Sequence, residues 1–172
     1  MKNHFSKLKY LFKNKGIDEF IFRGVFDFVP LLEEIEKICC IRNKRFLANI
    51  GRNHQAHIQI IHPRNLYDSE IFPKEKKKRE WIKFGYGLYV ADFPSHESFQ
   101  AFTKLDCFND FFPVKEYKDM PTYFMYCGSD KKRVSQVVRL ILQQVFKYQK
   151  NDLVHVNFFY WSDKRETFIN NL

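Results

Sequence analysis

The stretch YFMYCGSDKKRVSQVVRLILQQVFKY, Tyr123 to Tyr148, changes its periodicity halfway along. A short apolar run stops at Gly128-Ser129-Asp130, and three basic residues follow. Val134, Val137, Val138, Ile141, Val145 and Tyr148 then recur at helical spacing. A phosphate loop at this junction would need several glycines whose N–H groups wrap the anion, followed by Gly-Lys-Ser/Thr. Here there is one glycine and no such triplet. The junction therefore reads as a strand handing over to a helix, with Ser129 or Asp130 as the N-cap that accepts a free N–H of the first turn. Gln136, Gln143 and Gln144 fall away from the apolar stripe.

The elements on either side extend this reading. LVHVNFFYW, from Leu153, alternates as a strand with Val154, Val156, Phe158 and Tyr160 on one side. Together with the helix it makes a strand–helix–strand unit whose crossover is long enough for parallel pairing. Upstream, KRFLANI and HQAHIQIIH flank Gly51-Arg52-Asn53, a three-residue hairpin turn. Alternation puts Phe46, Ala48 and Ile50 on one face and Ala56, Ile58 and Ile60 on one face of the partner strand. WIKFGYGLYVADF, from Trp81, reads as a further strand with Ile82, Phe84, Tyr86, Leu88 and Val90 aligned. Ser95 caps a helix running to about Phe108, with Phe99, Phe102 and Leu105 turned inward. Pro30 suits the first turn of a helix over PLLEEIEKICC. Residues 1–15 read as a basic amphipathic helix, IDEFIFRGVFDF is ambiguous between helix and strand, 63–80 is a polar loop, and 162–172 is a frayed tail. The expectation is one α+β domain over 1–172. Its sheet is about five-stranded and largely antiparallel, opens with a hairpin, and carries helices mainly on one face.

The closing segment, PTYFMYCGSDKKRVSQVVRLILQQVFKY and VHVNFFYW, resembles the C-terminal part of small α/β domains of the type III secretion chaperone-like (YbjN-type) group. The shared features are a strand, a Gly-Ser-Asp cap, a long amphipathic helix ending near Val-Phe, and a final strand. The resemblance covers about 40 residues and carries no catalytic motif. It implies protein binding as a chaperone or adaptor, and homodimerisation through helix or sheet.

Composition narrows the function classes. The chain has 172 residues, 45% of them apolar, with 20 Phe, so a real core is affordable. No run approaches the roughly 20 apolar residues of a membrane span, and the N-terminus is not built as a secretory signal. Four cysteines (Cys39, Cys40, Cys107, Cys127) show neither CxxC pairing nor Cys/His ligand spacing. They read as reduced thiols of a cytoplasmic protein.

The net charge of +9 suggests a polyanion, but the 20 Lys, 20 Phe, 13 Ile and 11 Asn are all favoured by AT-rich codons. The candidate polyanion contacts are Arg42, Lys44, Arg45 and Arg52 on the hairpin, and Lys76, Lys77, Lys78 and Arg79 in the loop. Single-strand binders also need stacking aromatics. The hairpin offers only Phe46, whose alternation marks it as core.

His54, His57 and His62 raise the question of a metal. In an extended strand His54 and His57 diverge, and His54 and His62 lie too far apart for one ion. Gly85-Tyr86-Gly87 lacks the third glycine of a dinucleotide fingerprint. No hydrolase or kinase motif is present. These observations predict no cofactor, no metal and no catalytic residue. The first expectation is a non-enzymatic protein-interaction module of chaperone-like or adaptor type. The alternative is a nucleic-acid-associated accessory protein using the basic hairpin. The third is an enzyme with no recognisable motif.

Overall fold

The computed structural model describes residues 17–23, 27–40, 44–52, 55–68, 74, 77–91, 93–117 and 120–162. The expected N-terminal helix lies outside them, as do Arg42, Lys76, His54 and the tail beyond Ser162. The fold is α+β. Its strands are β1 (Ile17–Arg23), β2 (Lys44–Arg52), β3 (Gln55–Ile61), β4 (Tyr86–Val90), β5 (Phe112–Tyr117), β6 (Met120–Gly128) and β7 (Leu153–Ser162). Its helices are α1 (Val29–Cys39), α2 (Arg64–Tyr67), α3 (His96–Thr103) and α4 (Lys131–Leu140). One sheet holds all seven strands in the order β1-β7-β2-β3-β4-β6-β5, and every neighbouring pair is antiparallel.

The strand–helix–strand unit is β6-α4-β7. Its two strands run in the same direction, yet three strands separate them. The helix therefore spans the sheet rather than joining parallel neighbours, and β7 inserts between β1 and β2. Gly128 makes the turn into α4 at φ +60°, a conformation that costs glycine little. Asp130 is the cap: its carboxylate accepts Arg133 N–H at 3.0 Å. Ser129 is exposed and makes no such bond. The regular helix ends at Leu140, and Ile141–Val145 continues as a π-helical turn.

The core lies between the sheet and α1, α3 and α4. Phe46, Ala48, Ile50, Leu88, Val90, Val154 and Val156 face Val134, Val138, Ile141 and Leu142, all fully buried. Side-chain bonds tie the helices together and to the sheet. Ser135 Oγ accepts Phe28 N–H at 2.9 Å, Tyr86 donates to Leu32 O at 2.8 Å, and Lys131 pairs with Glu36. The first two satisfy buried polar groups that would otherwise be left unpaired, and the Lys131–Glu36 pair lies at the partly exposed edge.

Several expectations need correction. The described residues form seven strands rather than about five. The ambiguous IDEFIFR is edge strand β1, and β5 was not anticipated. The hairpin strands run on through Arg52 and resume at Gln55, so the connection is two residues, not Gly51-Arg52-Asn53. Ile50 pairs with Ile58 but Gly51 with Ala56, so His57 is an extra residue, a β-bulge. The bulge turns His57 to the helix side, where it stacks on Phe146 at 4.3 Å. It also moves Ala56 off the face of Ile58 and Ile60. Trp81 and Ile82 belong to a 3-10 turn rather than to a strand, because Trp81 folds over the far face of the sheet. α3 stops at Thr103, and a separate 3-10 turn covers Phe108–Asp110. β7 reaches Ser162, one residue into the expected tail.

Candidate functional site

Strand alternation gives the sheet a second face, and that face is unevenly covered. Over β3, β4 and β6, the 3-10 turn Arg79–Ile82 and α2 lay Trp81 against Phe124 at a centroid distance of 5.1 Å, with Ile61 buried alongside. Leu47, Leu66, Tyr67, Tyr89, Phe112, Val114 and Tyr126 pack around this cluster. Gly87 makes room for it: a Cβ there would lie 2.3 Å from Phe124 Cε2.

Over β7 and β2 no described helix or loop supplies such a cover. Register sets His155 beside Gly51, Asn157 beside Asn49, Phe159 beside Leu47 and Trp161 beside Arg45. Phe159 and Trp161 are half-buried and belong to neither core cluster. Asn49 continues the row to Gln59, which donates to it at 2.9 Å. Among the described residues Asn157 makes no side-chain hydrogen bond, and the Asn49 amide keeps its N–H donors unused. Asn49, Gly51, Gln55, Ala56, His155 and Asn157 line a hollow of about 30 Å3, room for about one water. The surface is thus a shallow platform with two large rings and a row of amides.

Part of the predicted basic set gathers at one end of this platform. Arg45 pairs with Asp68, which Arg64 also reaches at 3.4 Å. Lys77 lies 6.0 Å from the centre of the Tyr67 ring, one residue before Asp68. Lys78 and Arg79 are exposed on the same loop, beside Glu80. Arg52 is not part of the group. It sits seven residues along β2, about 23 Å away at strand rise, bonded to Asp152 at 2.5 Å and 4.3 Å from the Tyr148 ring centre. Lys44 lies over Tyr160, a residue of the helix-side row.

Burial pushes the Cys39 and Cys127 thiols up to about 12, against the opposing pull of Lys44 and Arg133 respectively. A thiol held protonated in this way is a poor nucleophile. Burial likewise pushes the Tyr148 hydroxyl up to about 12, opposed by Arg52. His57 lies among Phe146 and Tyr148, and His62 packs edge-on against Phe46 and Phe84. No group of three or more His, Cys, Asp or Glu able to hold a metal occurs among the described residues. None of the described helices is long and apolar enough to cross a membrane.

The platform residues were missed by sequence reasoning, which looked for aromatics inside the basic segments. The available signal was Phe158-Phe159-Tyr160-Trp161, four rings in a row, which a strand must divide between its two faces. No family model, no curated protein and no solved structure matches the chain.

Proposed function

We propose that this chain is a non-enzymatic binding module whose working surface is the half of the sheet over β7 and β2 that no described element covers. The observation that carries the reading is the state of Phe159 and Trp161. Both are half-buried outside either core cluster, beside amides with unused hydrogen-bonding capacity. Large rings are enriched where proteins bind partners, since they bury much area at low entropic cost. Enzymes concentrate perturbed, converging groups in a cleft; here the strongly perturbed thiols and tyrosines are buried and none of them lines the hollow. The resemblance to secretion-chaperone-like domains supports a protein partner, in a chaperone or adaptor role and with dimerisation through helix or sheet. The basic corner around α2 supports a nucleic-acid partner.

A photo-crosslinking residue placed at position 157, compared with one at position 136 on the exposed side of α4, tests the surface itself. Adducts formed in cells from position 157 and not from 136 are the expected result. Equal yield from both positions, or adducts from 136 alone, would refute the assignment.

A further inference from the structure

The platform has a chemistry of its own, and from it we propose that the occupant is a single-stranded polynucleotide. This rests on the uncovered sheet half being the working surface. A strand of nucleic acid without a complement offers flat bases, base edges with donors and acceptors, and one negative charge per nucleotide. Each has a counterpart here. Phe159 and Trp161 provide ring faces two residues apart on one strand, roughly 7 Å at strand rise. That spacing lets successive unstacked bases rest on successive rings. Asn157, Asn49 and Gln59 form a row beside them with amide groups left over, and amides match the paired donor and acceptor of a base edge. At the Trp161 end Arg45 and Arg64 share Asp68, Lys77 lies by Tyr67, and exposed Lys78 and Arg79 follow Lys77 on the same segment beside Glu80. A phosphate chain leaving the rings in that direction runs toward the segment that carries these cations.

The shallowness of the hollow agrees with this occupant. A platform stacks bases without enclosing them, whereas a small molecule needs a pocket of several hundred Å3. Duplex DNA presents its bases edge-on inside a groove, and flat sheet-borne rings cannot reach their faces. A codon preference would account for the amount of lysine, but not for half-buried rings and unused amides in one row.

The test is a fluorescence-anisotropy titration of the full-length protein with labelled oligo(U), oligo(dT) and a duplex of equal length, at two salt concentrations. Single strands should bind more tightly than duplex, and affinity should fall with salt as counterions are released. The RNA and DNA arms identify which sugar the surface prefers. Trp161→Ala should weaken single-strand binding about tenfold, in line with the loss of one stacked base. The pair Lys78→Glu and Arg79→Glu should weaken it and flatten the salt dependence. The pair Lys132→Glu and Arg139→Glu, exposed on α4 at the other side of the sheet, should leave both nearly unchanged. Trp161→Phe, which keeps a ring, separates stacking from folding and should retain most of the affinity. Equal loss from either charge pair, or duplex binding as tight as single-strand binding, would reduce the effect to general electrostatics and overturn the proposal. No binding to either oligonucleotide, with position 157 still forming adducts with a protein, would overturn this proposal and leave the binding surface standing. No adducts from position 157 would overturn both.

Discussion

Gly87→Ala places one methyl group against the ring that fills the covered half of the second face. Its Cβ would lie 2.3 Å from Phe124 Cε2 and 2.7 Å from Cζ, where ordinary contact begins near 3.4 Å. The Phe124 ring must therefore move by about 1 Å. It has little freedom to do so: it is fully buried, with Trp81 at 5.1 Å and Phe112 at 5.9 Å between centroids. Overpacking of this kind costs about 1–3 kcal/mol, and the confinement places this case towards the upper end. For a chain of this length each kcal/mol lowers Tm by about 2–4 °C, so a fall of roughly 4–12 °C is expected. Residue 87 lies outside the left-handed region, so the cost is steric rather than conformational. A double-mutant cycle isolates it. Phe124→Ala alone should cost about 3–5 kcal/mol. With the ring gone the added methyl meets no clash, so Gly87→Ala in that background should cost almost nothing. Urea unfolding of the four proteins measures the coupling. Additive losses, or an unchanged Gly87→Ala, would show that Phe124 does not occupy the space above Gly87, and the division into a covered and an uncovered half would fail.

Further outcomes follow from the helix layer and the thiols. Val138→Asp puts an unpaired carboxylate into a fully buried site on α4 and should remove most of the stability of about 5–15 kcal/mol that a domain has; an unchanged thermal melt by circular dichroism would place Val138 on the wrong face. Asp130→Ala should cost about 1 kcal/mol through the lost cap bond, and Ser129→Ala close to nothing, with equal effects refuting the assignment of the cap. Cys39 and Cys127 have folded pKa values raised above the ordinary thiol value of 9.0. Each thus favours the folded state fully below pH 9, and that contribution is lost as pH rises towards about 12, by about 1.4 kcal/mol per pH unit at the steepest. Urea midpoints from pH 8 to 11 should fall with pH, and a Cys39→Ala/Cys127→Ala protein should show a shallower fall; identical slopes would deny the thiols this role. At pH 8 exposed Cys40 should react with a disulfide reagent well before Cys39 and Cys127.

How far the sequence could be read depended on whether an element's burial was set locally. α4 was legible because its stripe and its cap lie within one stretch of chain, and Val134, Val137, Val138, Ile141, Val145 and Tyr148 are buried as the spacing implied. β7 was legible on its helix side for the same reason. The bulge at His57 was not legible: strand parity is carried residue by residue, and one unpaired position exchanges the faces beyond it, as Ala56 shows. Trp81 read as the start of a strand because IKFGYGLYV alternates, yet its burial comes from a cluster assembled with Phe112 and Phe124, far away in sequence. β5 carries Pro113, which weakens any strand reading and is tolerated only because β5 is an edge. Of the candidate contacts, Arg45 and Lys77 are linked through α2, a four-residue helix inside what read as a loop, by way of Asp68 and Tyr67, and Lys78 and Arg79 follow Lys77 in sequence. Arg52 was grouped with Arg45 by sequence proximity and stands at the other end of the strand. The rings that complete the site arrive from β7, about a hundred residues after the hairpin, so no local pattern announced them.

The most direct measurement uses the two tryptophans of the chain, one in each half of the second face. Trp81→Phe leaves Trp161, half-buried on the uncovered platform, as the sole indole. Trp161→Phe leaves Trp81, which is fully buried. Titrating each protein with oligo(U) and oligo(dT) while following indole emission reports contact at each place separately. The account predicts saturable quenching in the Trp81→Phe protein, from bases stacked on Trp161, and little change in the Trp161→Phe protein. Quenching confined to Trp81, or unaltered emission from Trp161 at oligonucleotide concentrations that saturate anisotropy, would contradict it.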